Sequence, residues 1–492
     1  MSNEDFCELT ATEIARLVRS KEASPTEVLE SVLARMERLE PTLHAFCTPT
    51  PDLAREDAAL VERDIMRGLS VGPLAGVPVG IKDLISTAGI RTSGGSAAYA
   101  SFVPDEDDVT VERVRAAGAV RLGKTNVPEF GYSGVGHNPV YATTRNPWNP
   151  ELTPGGSSAG SGAAVAAGMG PIALGSDGGG SVRIPAAHCG IVGMKASMGR
   201  VPLYPGCRDE RYPGFSSWES LEHIGPMART VGDAALLLSA IAGPDPRDRH
   251  SIPTTDVDWE AATRQDLPSL KIAFSADLGY VTVDPEVRAI VERAALRFEQ
   301  ELGCVVEGRD PGWSDPFGSF WGIVAADSDL VGMRQLAAQY GDRMTPHLKT
   351  FLDTPWSAEQ LTSAAVGRKS VCNKMWQLMQ DYDLLVTPTL TVPPFPVHMQ
   401  GPERVDDTMV DPFAWLSFTL PFNLTGSPAI SLPAGWTKDG RPVGIQLVGR
   451  HLADATVLAA AAAYERVYDW RSAWPELTRA ADRSDVSGGA SS

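Results

Sequence analysis

Apolar residues recur with helical spacing in the first part of the chain. In the segment 9–20, Ile14, Leu17 and Val18 fall on one face of a helix. A second helical pattern follows Ser24, which precedes a first-turn proline and a glutamate at the capping-box position. Both patterns predict amphipathic helices.

Further along the chain, short apolar runs alternate with helical patterns. The short runs predict strands at 77–82, 119–123, 172–174, 270–274, 384–386 and 444–448. The helical patterns predict helices at 111–118, 163–167, 231–242, 285–302 and 457–467. This alternation indicates an α/β protein with helices on both faces of a sheet. The sequence shows no internal repeat and no low-complexity linker at a domain boundary.

Composition and charge exclude several kinds of partner. The formal net charge is −18, and the acidic residues are dispersed, so we expect no nucleic-acid binding. The uncharged segment 152–176 consists largely of Gly, Ala and Ser, which is too weakly apolar for a membrane-spanning helix. We therefore expect no membrane partner.

The cysteines and histidines point to a reducing compartment and to no bound metal. The six cysteines have irregular spacings without a C-x-x-C pair, which favours free thiols over disulfides or a zinc site. The eight histidines are scattered. The N-terminus has no basic and apolar leader, so we expect a cytoplasmic protein without metal or cofactor.

A phosphate-loop pattern, G-x-x-x-x-G-K-[ST], is matched by residues 118–125. The motif requires a loop between a strand and a helix. Here the interior of the match reads as a strand, and Pro128 lies where the helix should run. The context argues against nucleotide binding.

A nucleophile-elbow pattern, G-x-S-x-G, is matched by residues 156–160 and would make Ser158 the nucleophile. His188 or His223 would then complete a triad. An elbow follows a strand, whereas residues 149–155 are rich in proline and glycine. Ser158 stays an alternative nucleophile at this stage.

Three separated segments resemble the amidase signature family: VGIKD at 79–83, PGGSSAGS at 154–161 and GSDGGGSVRIPA at 175–186. Further short segments similar to those of family members occur at 122–126, 128–130, 144–148, 387–389, 421–426, 428–429 and 442–446. The resemblance therefore covers nearly the whole chain. Two positions depart from the family pattern. Ala159 stands where glycine is usual, and Gly178 stands where threonine or another side chain is common.

The resemblance implies a single-domain α/β fold, the amidase-signature fold, with a large mixed central β-sheet covered by helices on both faces. We expect the amidase domain at 1–483, with the catalytic core at 70–200. The Ser/Gly-rich segment 484–492 is expected to be a disordered tail.

The resemblance also implies a Ser–cis-Ser–Lys triad. Ser181 is the nucleophile, Ser157 carries the proton and Lys82 is the base, which must be buried to be neutral. The backbone amides of Gly178, Gly179, Gly180 and Ser181 would form the oxyanion hole. Groups that fix the surrounding loops are expected at Ser158, Asp177, Arg183 and Asn126.

Aromatic and neighbouring side chains are the candidates for substrate binding: Tyr132, His137, Tyr204, Phe317 and Trp321. They favour aryl or apolar linear amides, because ligand pockets are usually lined in this way. Carbamates, as in a urethanase, and esters would follow the same acyl-enzyme route. The expected partner is a small-molecule amide, and a homodimer is compatible with the sequence.

Two other readings stay open. The chain could be the glutaminase (A-type) subunit of a tRNA-dependent amidotransferase, which would need partner chains. It could also be a scaffold that never forms an acyl-enzyme.

Overall fold

The strands predicted from apolar runs are present, and several others accompany them. In this computed structural model, which describes residues 5–206, 210–215 and 218–479, the strands are β1 (Phe46–Pro49), β2 (Pro78–Lys82), β3 (Val120–Thr125), β4 (Ile172–Ser176), β5 (Val192–Lys195), β6 (Ile224–Ala228), β7 (Lys271–Phe274), β8 (Val305–Gly308), β9 (Leu384–Pro388), β10 (Arg404–Val405), β11 (Thr408–Met409), β12 (Ala429–Trp436) and β13 (Pro442–Gly449).

The helices begin with the two predicted at the N-terminus, and each of these opens with a capping box, at Thr10 and at Ser24. They are α1 (Ala11–Arg19), α2 (Pro25–Leu43), α3 (Pro51–Met66), α4 (Val109–Ala116), α5 (Ala159–Ala166), α6 (Arg183–Cys189), α7 (Val231–Ile241), α8 (Trp259–Arg264), α9 (Pro285–Gln300), α10 (Phe317–Asp327), α11 (Leu330–Tyr340), α12 (Pro346–Asp353), α13 (Ala358–Asp381), α14 (Leu420–Leu424), α15 (Asp454–Val467) and α16 (Glu476–Arg479).

One sheet of eleven strands runs through the described chain in the order β1-β3-β2-β4-β6-β5-β12-β13-β9-β7-β8. Strand β2 is parallel to β3 and β4, and β7 is parallel to β8 and β9. The other neighbours are antiparallel. The α/β class and the large mixed sheet are thereby confirmed.

The sheet has a separate core on each face. In β4, Ile172 and Leu174 belong to the main core with residues of α7, α9 and α15, whereas Ala173 between them packs with residues of α5 and α6. Successive strand residues point to opposite faces, so the two helix groups cover opposite sides of the sheet.

A third apolar cluster lies beside the sheet and contains much of the aromatic content. Helices α10 to α14 contribute to it, together with side chains from the loop after β3 such as Phe130 and Tyr132. The sequence patterns predict none of these helices. This cluster forms the walls of the cavities described below.

The phosphate-loop match is a strand in the structure. Residues 120–125 form β3, and Lys124 is fully buried with its Nζ donating to the Thr87 hydroxyl at 2.9 Å and to the Ile85 carbonyl. The described helices include none that is long and apolar enough to cross a bilayer. The expected tail at 484–492 and the domain boundary at 483 lie outside the described residues.

Candidate active site

Lys82 is the last residue of β2, a strand with parallel neighbours on both sides. Its side chain is fully buried. The Nζ atom donates to the Ser157 hydroxyl at 2.7 Å, to the Ser176 hydroxyl at 2.9 Å and to the Ser176 carbonyl at 3.1 Å. A central strand therefore holds this amine against a serine hydroxyl inside the protein.

Burial is the main influence on the protonation of this amine. It disfavours the ammonium and lowers the pKa of Lys82 to about 8, although the carboxylates of Glu222 and Asp177 oppose the shift. The adjacent Asp83 carboxylate is turned towards Ser93, whose hydroxyl donates to it at 2.7 Å. Lys82 can thus lose its proton close to neutral pH, as a general base must.

Ser157 and Ser158 belong to the loop that leads into α5. The Gly156–Ser157 peptide bond is cis, as the resemblance implies. Ser158 is fully buried, its hydroxyl donates to the Ser176 carbonyl at 3.2 Å, and its N–H donates to the Ser181 carbonyl at 3.2 Å. Through these hydrogen bonds Ser158 connects the two segments that contain Ser176 and Ser181. A nucleophile elbow would require a strand before Ser158, and the residues before it form a loop instead.

Ser181 lies on the turn between β4 and α6. It is 8% exposed and lines the same small cavity as Ser157. Among the described residues, no hydrogen bond joins the two hydroxyl groups. The structure therefore brings Lys82, Ser157 and Ser181 together, with a direct bond between the first two.

Three glycines shape the turn before Ser181. Gly180 has a φ of +123°, and a Cβ there would lie 2.4 Å from the Thr419 hydroxyl oxygen. Its N–H donates to the Asp177 carboxylate at 2.8 Å, which corrects the expectation that the Gly180 amide belongs to an oxyanion hole. The N–H groups of Gly178, Gly179 and Ser181 have no acceptor in the described part of the chain.

Asp177 and Arg183 form a fully buried ion pair across this turn. Two N–H groups of the guanidinium donate to the carboxylate, each at 2.9 Å, and others reach Asn423 on α14 and Gln446 on β13 at 2.7 Å. Burial alone would raise the pKa of Asp177, but Arg183 outweighs it and holds the pKa well below its usual range. The pair fixes the turn to two distant elements.

Asn126 stands further from the triad. Its side-chain amide donates to the Thr144 hydroxyl at 3.0 Å and to the Ala142 carbonyl at 2.9 Å. Its backbone N–H donates to the Ala45 carbonyl at 2.8 Å. Asn126 thus holds the long loop after β3, which carries Tyr132.

Two cavities share Ser181 as part of their walls. The inner one has a volume of about 10 Å³, and its lining includes Ser157, Ser176, Ser181 and Glu222 together with the aromatic residues Phe130, Tyr132 and Trp218. The outer one has a volume of about 30 Å³, and none of its lining residues is charged: Gly131, Tyr132, Ser133, Gly134, Gly179, Ser181, Ile184, Trp218, Phe317, Phe320, Trp321, Phe413, Leu416 and Leu420.

The five candidates for substrate binding separate into two groups. Tyr132, Phe317 and Trp321 line the outer cavity. His137 and Tyr204 do not line either cavity beside Ser181, so the structure does not place them at the substrate. The His137 ring is instead 3.3 Å from the Gln400 amide, and the Tyr204 ring lies under the Arg247 guanidinium at 4.7 Å from the ring centroid.

Sequence reasoning missed Glu222 and the role of Ser176. Glu222 is 6% exposed and lines the inner cavity. Burial raises its pKa, and the Lys82 ammonium and the nearby Ser176 hydroxyl oppose this. Strand β6, which begins two residues after Glu222, could have revealed this residue. It pairs with β4 and so brings Glu222 beside Ser176. Glycine, proline and methionine obscure that strand in the sequence.

The described residues include no group of three His, Cys, Asp or Glu side chains placed to hold a metal ion. The polar groups around Ser181 are hydroxyls, backbone amides, one amine and two carboxyls. They can move protons and bind a developing oxyanion, which is the equipment for nucleophilic acyl transfer.

Comparisons with known proteins agree with this geometry. The Amidase family matches residues 27–458. An acylamidase of Rhodococcus erythropolis is 38% identical, with 96% of this chain and 98% of the relative covered. The A-type subunit of the glutamyl-tRNA(Gln) amidotransferase of Moorella thermoacetica is 37% identical, with 95% and 98% covered.

Solved structures give the same result. A bacterial aryl acylamidase of the amidase signature family has a TM-score of 0.87 at 32% identity, over 96% of this chain and 98% of that chain. A 6-aminohexanoate cyclic dimer hydrolase has a TM-score of 0.84 at 30% identity, over 96% and 99%. The chain therefore belongs to the amidase signature family and is a hydrolase of carbon–nitrogen bonds.

Proposed function

We propose that the protein hydrolyses linear carboxylic amides with an aryl or apolar acyl group, through an acyl-enzyme on Ser181. The outer cavity is the observation that carries this proposal, because its lining is aromatic and uncharged. Aromatic and aliphatic walls favour an apolar group of similar shape. Carbamates and esters would follow the same route if their leaving groups fit.

The proposed reaction uses the groups around Ser181 in order. The Ser181 hydroxyl attacks the carbonyl carbon while its proton passes to Ser157 and from Ser157 to Lys82. The N–H groups of Gly178, Gly179 and Ser181 are the available donors for the oxyanion. Collapse breaks the C–N bond, the amine leaves with a proton returned through Ser157, and water then releases the acid by the reverse path.

A glutaminase is the second candidate function, since the A-type amidotransferase chain of Moorella thermoacetica is a relative. Glutamine carries an ammonium and a carboxylate on its acyl side, and both need polar or charged partners when they are buried. The outer cavity offers no charged side chain. The short bond between Lys82 and Ser157 also argues for an active site over a silent scaffold.

The purified chain should be assayed alone against phenylacetamide, acetamide and glutamine. We expect phenylacetamide to have the highest kcat/KM and Ser181→Ala to reduce it by about 10³-fold or more. If glutamine were the only substrate hydrolysed, and only after partner proteins were added, the proposal would be excluded in favour of the glutaminase.

A further inference from the structure

The two cavities at Ser181 differ in size and in chemistry. From this difference we infer that the inner cavity is the leaving-group site, that it accepts only a small amine, and that the Glu222 carboxyl recognises the N–H groups of that amine. The inference rests on the proposed acyl-enzyme route. It specifies the amine half of the substrate, whereas the outer cavity specifies the acyl half.

The position of Ser157 sets the orientation of the substrate. Ser157 lines the inner cavity and is absent from the lining of the outer one. In the proposed route Ser157 returns the proton to the leaving nitrogen, and a proton donor must lie within hydrogen-bonding distance of its acceptor. The leaving nitrogen must then face the inner cavity, and the acyl chain must extend into the outer one.

The free volumes limit the amine more than the acyl group. A volume of about 10 Å³ in the inner cavity corresponds to the space for a single water molecule. The outer cavity has a volume of about 30 Å³, and two of its lining side chains, Phe317 and Trp321, also line a separate groove with a volume of about 610 Å³. The acyl side of Ser181 therefore has the larger free volume, and the amine side has the smaller one.

The end of the inner cavity is closely packed around Gly178. A Cβ at this position would lie 2.5 Å from the Trp218 ring and 2.8 Å from a carboxyl oxygen of Glu222. Trp218 and Glu222 thus fill the space that a larger residue at 178 would need. This explains the glycine at a position where the family often has a side chain, and it fixes the carboxyl beside the oxyanion turn.

Glu222 has acceptor capacity left for a ligand. The polar groups near its carboxyl are Lys82, Ser176 and Asp177. No Lys or Arg side chain in the described chain forms an ion pair with it. A carboxyl group has about four lone-pair sites, so it can also accept an N–H from the amide –NH₂. An N-aryl substituent replaces one of the two amide hydrogens, so the carboxyl would lose that donor and would contact carbon instead.

A series of amides with a common phenylacetyl group tests this assignment: the primary amide, the N-methylamide and the anilide. We expect kcat/KM to fall by about 10-fold for the N-methylamide and by about 100-fold or more for the anilide. Equal or faster hydrolysis of the anilide would overturn the inference. That result is distinct from failure of the proposed function, in which no amide of the series would be hydrolysed.

Glu222→Gln tests the residue itself. The change keeps the side-chain volume, and we expect the ratio of kcat/KM between primary amide and N-methylamide to fall about tenfold. Any effect on Lys82 cancels in this ratio, because both substrates use the same base. Glu219→Gln is the matched control, since Glu219 pairs with Arg249 and does not line the cavity. If the ratio of kcat/KM between primary amide and N-methylamide were unchanged in folded Glu222→Gln, the role of Glu222 would be overturned. If this variant does not fold, the substrate series on the unaltered protein decides.

Discussion

A lysine can act as a base only where the protein makes its ammonium unfavourable. Lys82 reaches this state because a buried strand carries it away from water and because two of its partners are uncharged serine hydroxyls. The carboxyls of Glu222 and Asp177 act in the opposite direction and keep the pKa from falling further. The site therefore sets the pH range of the enzyme by a balance between burial and two nearby acids.

The pH dependence of turnover follows from this balance. In the proposed route the neutral amine is the active form, so kcat/KM should rise with pH up to the Lys82 pKa of about 8 and level off above it. In Glu222→Gln the stabilising carboxylate is gone, so the pKa of Lys82 should fall and the rise should move to lower pH. Profiles of kcat/KM measure both the rise in the unaltered protein and its shift in Glu222→Gln. They should run from about pH 5.5 to about pH 9.5, which is roughly the range in which such a base titrates. A profile that is flat to the acid end would exclude Lys82 as the base.

At the scale of elements, close backbone packing positions the catalytic segments. Helix α5 begins directly after the serine loop, and Gly160 in its first turn lies against the chain at Ala45 and Asn126. A Cβ at 160 would stand 2.1 Å from the Ala45 carbonyl oxygen and 2.3 Å from the Asn126 nitrogen. The uncharged small-residue segment of the sequence thus has a structural reason, which is contact between backbones.

Gly160→Ala should be destabilising and Gly232→Ala should not. The first substitution forces two backbone segments apart, for which overpacking costs of about 1–3 kcal/mol or more are typical. The second lies in α7 with no atom within 4 Å of the added Cβ, and a helical alanine stabilises by up to about 1 kcal/mol relative to glycine. Urea unfolding of both variants checks this, and similar losses in the two would contradict the packing account.

The sequence predicts those elements whose apolar pattern is long or uninterrupted. Strands β2 and β3 and helix α9 appear where the pattern places them. Strands β5 and β6 are short and contain glycine, methionine or proline, so the pattern does not reveal them. The residues of the proposed triad can be found in the sequence because they lie in short segments that resemble family motifs. Glu222 cannot, because only the antiparallel pairing of β6 with β4 brings it to the site.

At the scale of the molecule, the uncharged outer cavity sits in a strongly acidic protein. The net charge of −18 gives the surface a field that repels anions, whereas a neutral amide is unaffected. The walls of the cavity add a second barrier to an anion, because they offer it no counter-ion. Both effects favour neutral substrates.

A charged analogue should reveal this selectivity. We expect 4-carboxyphenylacetamide to have a kcat/KM at least about 10-fold below that of phenylacetamide, with the gap narrowing as NaCl screens the field. Kinetics at low and high salt provide the measurement. Preference for the anionic amide would show that an unrecognised cationic group reaches the substrate.

Covalent labelling can show whether Ser181 is the nucleophile and Lys82 its base. A fluorophosphonate reacts with an activated serine, and mass mapping of the peptides identifies the modified residue. We expect a single adduct on Ser181, formed by the unaltered protein and lost in folded Lys82→Ala near neutral pH. An adduct on Ser158, or undiminished labelling of Ser181 in Lys82→Ala, would contradict this assignment.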